Sequence, residues 1–188
     1  MYTRKYDNRV LTFDFAEGLL NDNLLFVDRE TQSIWSQLEG KAISGKMKDQ
    51  PLEMIPTIQT TWQHWRKMHP DTRVWVKMDT EGHPYLYRNR KPGRPRPATR
   101  PKAHDTSALG LGLVINNAAL FFPFKELAKS DPSFEYELGG QRITIHYNNA
   151  APTAWAEDAD GNLLTGVLVY DANWQRFYPK SKIFRAGE

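Results

Sequence analysis

Short runs of branched and aromatic residues, separated by turn-forming residues, dominate the hydrophobic pattern of this chain. They are RVLTFDF from Arg9, NLLFVD from Asn23, LEMIP from Leu52, GLGLVIN from Gly110 and RITIHY from Arg142. Runs of this length, rich in β-branched and aromatic residues, are typical of β-strands. Gly139 with Gly140, and ADGN at 159–162, are typical of hairpin turns. The pattern predicts an α+β fold with a mainly antiparallel β-sheet and a few short helices.

The helices are predicted from a different spacing. Apolar residues three and four apart line one face of a helix, and this spacing occurs at Trp62, Trp65 and Met68 or His69, and again at Trp174, Phe177 and Tyr178. Both segments stop at a proline, with Thr60 or Thr61 and Asp171 as suitable N-caps. A third helix is expected in PFKELAKSD from Pro123, because proline suits the first helical position. Strands are expected after the two prolines, in TRVWV at 72–76 and KIF at 182–184.

The two tryptophan-proline segments also resemble each other. WRKMHPDTRVW at 65–75 aligns without gaps with WQRFYPKSKIF at 174–184, an offset of 109 residues. Nine of the eleven positions agree in chemical class and two are identical. We therefore expect a single compact domain over 1–188, made of two pseudo-repeats at about 1–87 and 107–188.

A basic, proline-rich strip separates these pseudo-repeats. RNRKPGRPRPATRPK at 88–102 holds seven basic residues and no acid, which leaves 18 positive against 22 negative charges elsewhere in a chain of net charge +3. Its prolines disfavour helix and interior strand, so 88–106 is expected to be an exposed connector. The connector is a candidate contact for an acidic protein or membrane surface, and KPGRPRP resembles an imperfect minor-groove DNA hook. The basic residues concerned are Arg88, Arg90, Lys91, Arg94, Arg96, Arg100 and Lys102.

Composition excludes several kinds of site. The chain has no cysteine, which excludes disulfides, thiolate metal sites and a cysteine nucleophile. His64 and His69 are five residues apart, unlike the i, i+4 pair of a zinc-binding helix, and no phosphate-loop, serine-hydrolase or dinucleotide fingerprint occurs. We therefore expect no metal and no cofactor. The N-terminus lacks the apolar stretch of a secretory signal, and the longest apolar run, Ala118–Phe122, is far below the roughly 20 residues of a membrane span, which favours the cytosol.

One tryptophan has two competing interpretations. Trp35 follows the polar turn DRET at 28–31. A tryptophan at a hairpin end usually buries its ring while its N–H finds an acceptor. Alternatively, Trp35 is the aromatic wall of a ligand site in which Asp28, Arg29 and Trp62 also take part.

Several motifs in fixed order carry a family resemblance. NLLFVDRET, WSQLEGKAISG, TTWQHW and HPDT, followed by LGLVINNAALFFPFKELA and GGQRITIHYNN, resemble a bacterial family catalogued as domain of unknown function 3179. The resemblance implies a protein of the bacterial envelope and no assigned activity. It also implies a Cys-Pro-x-Cys stretch upstream of Arg9, where this chain has eight residues without cysteine, so the chain is expected to be a shortened or divergent member.

Together these features favour a non-catalytic protein-interaction or structural module. The alternative is a small-molecule or polymer binder, or an enzyme, with a cleft between the two halves. A further alternative is weak DNA binding through the basic strip at 88–102.

Overall fold

The computed structural model describes residues 1–75 and 108–187. We call the first range the first half and the second range the second half. The first half contains β1 (Lys5–Tyr6), β2 (Arg9–Val10), β3 (Phe13–Leu20), β4 (Asn23–Asp28), β5 (Ile34–Ser36), β6 (Lys41–Ser44) and α1 (Trp62–Met68). The second half contains β7 (Leu109–Ile115), β8 (Ala118–Pro123), α2 (Phe124–Leu127), β9 (Ser133–Leu138), β10 (Gln141–Asn148), β11 (Thr153–Asp158), β12 (Gly166–Tyr170), α3 (Asp171–Phe177) and β13 (Lys182–Ile183).

These elements form four antiparallel or mixed sheets. In the first half, β1 pairs with β2, and a second sheet has the order β3-β4-β5-β6. In the second half, one sheet has the order β12-β7-β8-β13 and the other β11-β10-β9. Among the described strands, only β13 and β8 form a parallel pair. The expected α+β fold with mainly antiparallel sheet is confirmed.

The main core lies in the second half, between its two sheets. RITIHY lies in strand β10, along which burial alternates, so that Ile143, Ile145 and Tyr147 are buried while their neighbours are less enclosed. Strand β8 is apolar along its length and contributes Phe122, whose ring contacts Tyr136 and Phe184 at 5.4 and 5.2 Å. Burial of apolar side chains between two sheets is the main stabilising contribution to the folding of such a domain.

A smaller core lies in the first half. Its fully buried members are Leu11, Trp35 and Ala42, and Phe13 and Phe26 pack against them. The ring of Phe13 meets that of Trp35 edge to face at 5.7 Å.

The helices α1 and α3 end in the same arrangement. The indole N–H of Trp65 donates to Thr72 Oγ1 at 2.8 Å, and that of Trp174 donates to Ser181 Oγ at 2.7 Å. Each indole also lies 4.2 Å from the ring of the residue at the helix end, His69 or Tyr178. The surroundings differ, because Trp174 is buried whereas α1 buries none of its residues.

The two halves contact each other through polar groups. Thr153 Oγ1 donates to the carbonyl of Gln59 at 2.6 Å. On another side, Asn173 Nδ2 donates to the carbonyl of Asn21 at 3.2 Å, and Arg176 pairs with Asp22. These contacts join each half's helical region to the sheet region of the other half.

Some local predictions are wrong. LEMIP at 52–56 forms only one isolated bridge, between Met54 and Tyr2. TRVWV has no strand within 72–75, and Val76 lies outside the described residues. RVLTFDF is interrupted at Leu11–Thr12 and yields two separate strands. Asp171 is the first residue of α3 rather than its cap, which is Tyr170, whereas Thr61 caps α1 by accepting from the His64 N–H. The helix expected from Pro123 is a single turn ending at Leu127.

Within the described ranges, no helix is both long and apolar enough to cross a membrane.

Candidate functional site

The structure places Asp28 and Trp35 together in the interior. Asp28 is 0% exposed and Trp35 1% exposed, and the indole N–H of Trp35 donates to Asp28 Oδ2 at 2.8 Å. The same carboxylate accepts from Thr31 Oγ1 at 2.8 Å, from the Thr31 N–H, and from the Ser33 N–H at 3.2 Å. Burial by itself would raise the pKa of Asp28, but the hydrogen bonds from Trp35, Thr31 and Ser33 outweigh it and hold the pKa below its ordinary value. This carboxylate organises the β4–β5 turn.

The other two predicted ligand contacts lie at the surface. Arg29 forms a bidentate pair with Asp14 at 2.5 and 2.8 Å, with both side chains largely exposed. Trp62 begins α1 and is 52% exposed. Asp28 and Trp35 are therefore enclosed, whereas Arg29 and Trp62 lie at the surface. In the described structure these four residues do not line a common cleft. The basic residues of the 88–102 strip lie outside the described residues.

A cleft does exist between the halves, with a different lining. It encloses about 250 Å³. The first half contributes Leu38, Glu39, Gly40, Pro51, Leu52 and Met54, and the second half contributes Gly112, Val114, Thr165, Gly166, Val167, Trp174 and Tyr178. We call this space the inter-half cleft. In the sequence, Trp174 and Tyr178 indicate one face of a helix and part of a pseudo-repeat, and nothing in LEG at 38–40 indicates a site.

Fixed side chains form the floor of the inter-half cleft. Trp174 is held by its bond to Ser181 and packs so closely on β7 that a Cβ at Gly112 would lie 2.3 Å from the indole ring. The indole stacks at 6.3 Å on Phe121. Because no side chain larger than hydrogen fits at Gly112, the position of this aromatic floor is set by the strand beneath it.

Polar groups lie at one side of the inter-half cleft. The carboxylate of Glu39 pairs with Lys41 at 3.1 Å. Burial, followed by the negative charge of Glu39, raises the pKa of Tyr178. Burial and the nearby Tyr178 raise the pKa of Tyr2 to about 12, and the Tyr2 hydroxyl donates to the carbonyl of Gln37. Both phenols are therefore neutral hydrogen-bond donors at physiological pH.

A second cavity of about 210 Å³ lies beside the inter-half cleft and shares Gly166 and Val167 with it. Its walls are more polar and include Gln37, Thr57 and Gln59 of the first half. The start of β12 therefore faces two separate spaces at the boundary between the halves.

Aromatic residues also reach the surface along the edge of the first-half sheet. Register places Phe15 opposite Phe26, Phe26 opposite Trp35, and Trp35 opposite Ala42, so one row crosses the sheet from β3 to β6. Ala42 and Trp35 are buried, whereas Phe15 is 75% exposed and stacks on Phe26 at 6.0 Å. The row thus runs from the core to solvent, and we call its end at Phe15 the β3 edge.

A further titratable cluster lies on β10 and β11. The His146 ring stacks on Trp155 at 4.9 Å, and both side chains bond to Glu157, at 3.2 and 3.1 Å. Across residues 1–75 and 108–187, no three His, Cys, Asp or Glu side chains come together in a way that could hold a metal ion.

Comparison with known proteins identifies a family but no activity. A family model described as "Protein of unknown function (DUF3179)" matches residues 1–185. Neither the curated proteins nor the solved structures contain a match to the chain. The match covers nearly all of the sequence and both halves of the structure, which confirms the resemblance carried by the sequence motifs. The chain therefore belongs to the DUF3179 family of proteins of unknown function.

Proposed function

We propose that this protein is a non-catalytic protein-interaction module that contacts its partner through the β3 edge. The observation that carries the proposal is the 75% exposure of Phe15, at the end of a row that leads through the half-buried Phe26 to the buried Trp35. Leu19 on the same strand is 61% exposed. Fully burying an exposed phenylalanine or leucine contributes about 1.5–3 kcal/mol each, so covering both is a substantial gain for a complex.

The edge strand also indicates how a partner is bound. In the described structure β3 pairs only with β4, so one side of its backbone has no strand partner. However, Gly18 adopts a positive φ of 87°, and the register shifts between Phe15 and Leu19. With Asp14 and Glu17 exposed on the strand, this irregularity opposes the addition of another strand. We therefore expect side-chain contacts centred on Phe15 rather than backbone pairing.

Photo-crosslinking tests the proposal in cells that naturally produce the protein. Benzoylphenylalanine replaces Phe15 in one variant and Val114, a 40% exposed residue of β7, in the matched control. We expect a discrete crosslinked product from position 15 and none from position 114. The partner protein identified in that product should no longer co-purify with the Phe15→Ser variant. Equal crosslinking at both positions, or no discrete product at position 15, would refute a partner at the β3 edge.

We also propose that the two halves arose by duplication and fold as one cooperative unit. The matching bonds Trp65–Thr72 and Trp174–Ser181 support duplication. The first hairpins support it too, because Lys5 pairs with Val10 as Val114 pairs with Ala119, the same register at an offset of 109.

A sequence profile and a calorimetric scan test these two points. A profile built from family sequences aligned over 1–75 should detect 109–184 above shuffled sequences, and detection no better than shuffled sequences contradicts duplication. Thermal unfolding of the intact chain should show one transition with equal calorimetric and van't Hoff enthalpies, whereas two separate transitions contradict a single unit.

A further inference from the structure

We propose that the inter-half cleft binds a small organic cation, namely a protonated amine attached to an apolar or aromatic body. The inter-half cleft is separate from the β3 edge, because none of its described lining residues belongs to β3. The volume of the cleft, the charge at its side and the aromatic rings at its floor favour such a ligand.

The volume of the cleft suits a small molecule. An apolar cavity of about 150 Å³ is enough to hold benzene, whereas the pockets that bind drug-sized ligands have volumes of roughly 300–1,000 Å³. At about 250 Å³ the inter-half cleft accommodates one ring with a short side chain. Its apolar walls come from both halves, chiefly Leu38, Leu52, Met54, Val114 and Val167.

The charge of the lining favours a cation. Among the lining residues that the structure describes, Glu39 is the only carboxylate, and none is a lysine, arginine or histidine. Its side chain is 21% exposed, which weakens solvent screening, and its negative charge is felt by the Tyr178 hydroxyl. An anion would therefore be repelled, while an ammonium group would gain a charge-assisted hydrogen bond.

The existing partner of Glu39 does not prevent this. Lys41 lies 3.1 Å away, but its own side chain is 43% exposed, so water competes for its ammonium group and lessens the cost of separating the pair. Lys41 is also not among the lining residues, so its ammonium can return to water while the carboxylate accepts the ligand.

The floor of the cleft adds a second attraction. The rings of Trp174 and Tyr178 lie 4.2 Å apart at an interplanar angle of 34°, and both residues line the cleft. A cation within about 6 Å of an aromatic face is attracted by the ring quadrupole. Trp174 is 1% exposed, with its ring between those of Tyr178 and Phe121, so the half-buried Tyr178 presents the more accessible ring to a ligand.

Three probes of similar shape separate charge from shape. We would titrate the full chain with 2-phenylethylamine, 2-phenylethanol and phenylacetate near neutral pH, and follow binding by calorimetry and by chemical shifts of the indole N–H resonances. We expect the amine to bind about tenfold more tightly than the alcohol, consistent with one charge-assisted bond, and the acid to bind most weakly. The Trp174 indole resonance should move because Trp174 lines the cleft, whereas the resonance of Trp35, which does not line it, should not move.

Variants decide whether Glu39 is responsible. Glu39→Gln keeps the shape of the side chain and should reduce amine binding about tenfold, so that amine and alcohol bind alike. Glu17→Gln, which removes an equal charge from exposed β3, is the matched control and should bind the amine as the unmodified chain does. Amine binding that is no tighter than alcohol binding, that survives Glu39→Gln, or that is undetectable at millimolar concentration would overturn the proposal.

Discussion

Replacing Asp28 by asparagine tests whether one buried carboxylate holds the β4–β5 turn. The substitution preserves side-chain size but removes the charge and leaves one acceptor oxygen. In the structure the carboxylate accepts four hydrogen bonds, of which Oδ2 takes those from Thr31 Oγ1, Ser33 N–H and the Trp35 indole. The fourth, from the Thr31 N–H, goes to Oδ1.

The magnitude follows from these bonds. The amide is best placed with its oxygen at the Oδ2 position, which leaves the Thr31 N–H facing an NH2 group. An unsatisfied buried donor costs about 1–3 kcal/mol, and each bond changed from a charged to a neutral acceptor loses about 1 kcal/mol. Relief from burying a charge offsets part of this sum. We expect Asp28→Asn to lower the free energy of unfolding by about 3 kcal/mol at neutral pH.

The pH dependence provides a second measurement. Because the folded-state pKa of Asp28 is lowered, its stabilising effect is present above the unfolded pKa of roughly 3.9 and is lost as pH falls through the folded value. Urea unfolding followed by tryptophan fluorescence, repeated from neutral to acidic pH, should therefore show the difference between the two proteins shrinking in acid. Asp14→Asn, which breaks the exposed pair with Arg29, is the control and should change stability much less.

Two outcomes would refute this reasoning. A loss below about 1 kcal/mol at neutral pH would mean that the hydrogen bonds of Asp28 are replaced without cost. A loss that stays constant into acid would mean that the charge of the carboxylate is not what stabilises the turn.

Two further predictions concern α3 and its counterpart α1. Gly112→Ala should destabilise the chain by about 1–3 kcal/mol in urea unfolding, because the new Cβ would lie 2.3 Å from the Trp174 ring. Val114→Ala, at a partly exposed position of the same strand, is the control, and it is preferred to Gly140→Ser because Gly140 has a positive φ. A loss for Gly112→Ala no larger than the loss for Val114→Ala contradicts this packing. Trp174→Ala should lower the free energy of unfolding by about 3–5 kcal/mol, and Trp65→Ala clearly less, because Trp174 is fully buried and Trp65 only partly. Equal losses in thermal or urea unfolding would contradict this difference in burial.

Local patterns explain which elements could be predicted. Strand β10 could be predicted because RITIHY is rich in branched and aromatic residues, one face of which packs on a core. Helix α1 could be predicted because the N-cap Thr61 and the spacing of Trp62, Trp65 and Met68 indicate the same helix. LEMIP has similar composition but forms only one isolated bridge, between Met54 and Tyr2, and the sheet β3-β4-β5-β6 is completed by residues before it. Composition reports a preference for extended backbone, and pairing depends on which strands are nearby.

The candidate site shows the same division. One of the two interpretations of Trp35, a buried ring whose N–H finds an acceptor, follows from its position after a polar turn. In the structure Asp28 supplies that acceptor. The inter-half cleft could not be predicted, because Glu39 and Tyr178 are 139 positions apart in the chain and nothing in either local segment refers to the other.

The sequence by itself determined the fold class, the two tryptophan-proline helix ends and the family, because these depend on local spacing and on motif order. Only the tertiary structure decided that Trp35 is enclosed, that Phe15 is left at an open sheet edge, and that Glu39 faces an aromatic floor. Exposure and proximity depend on how sheets and helices from distant parts of the chain pack, and packing is a property of the whole set of contacts rather than of any one segment.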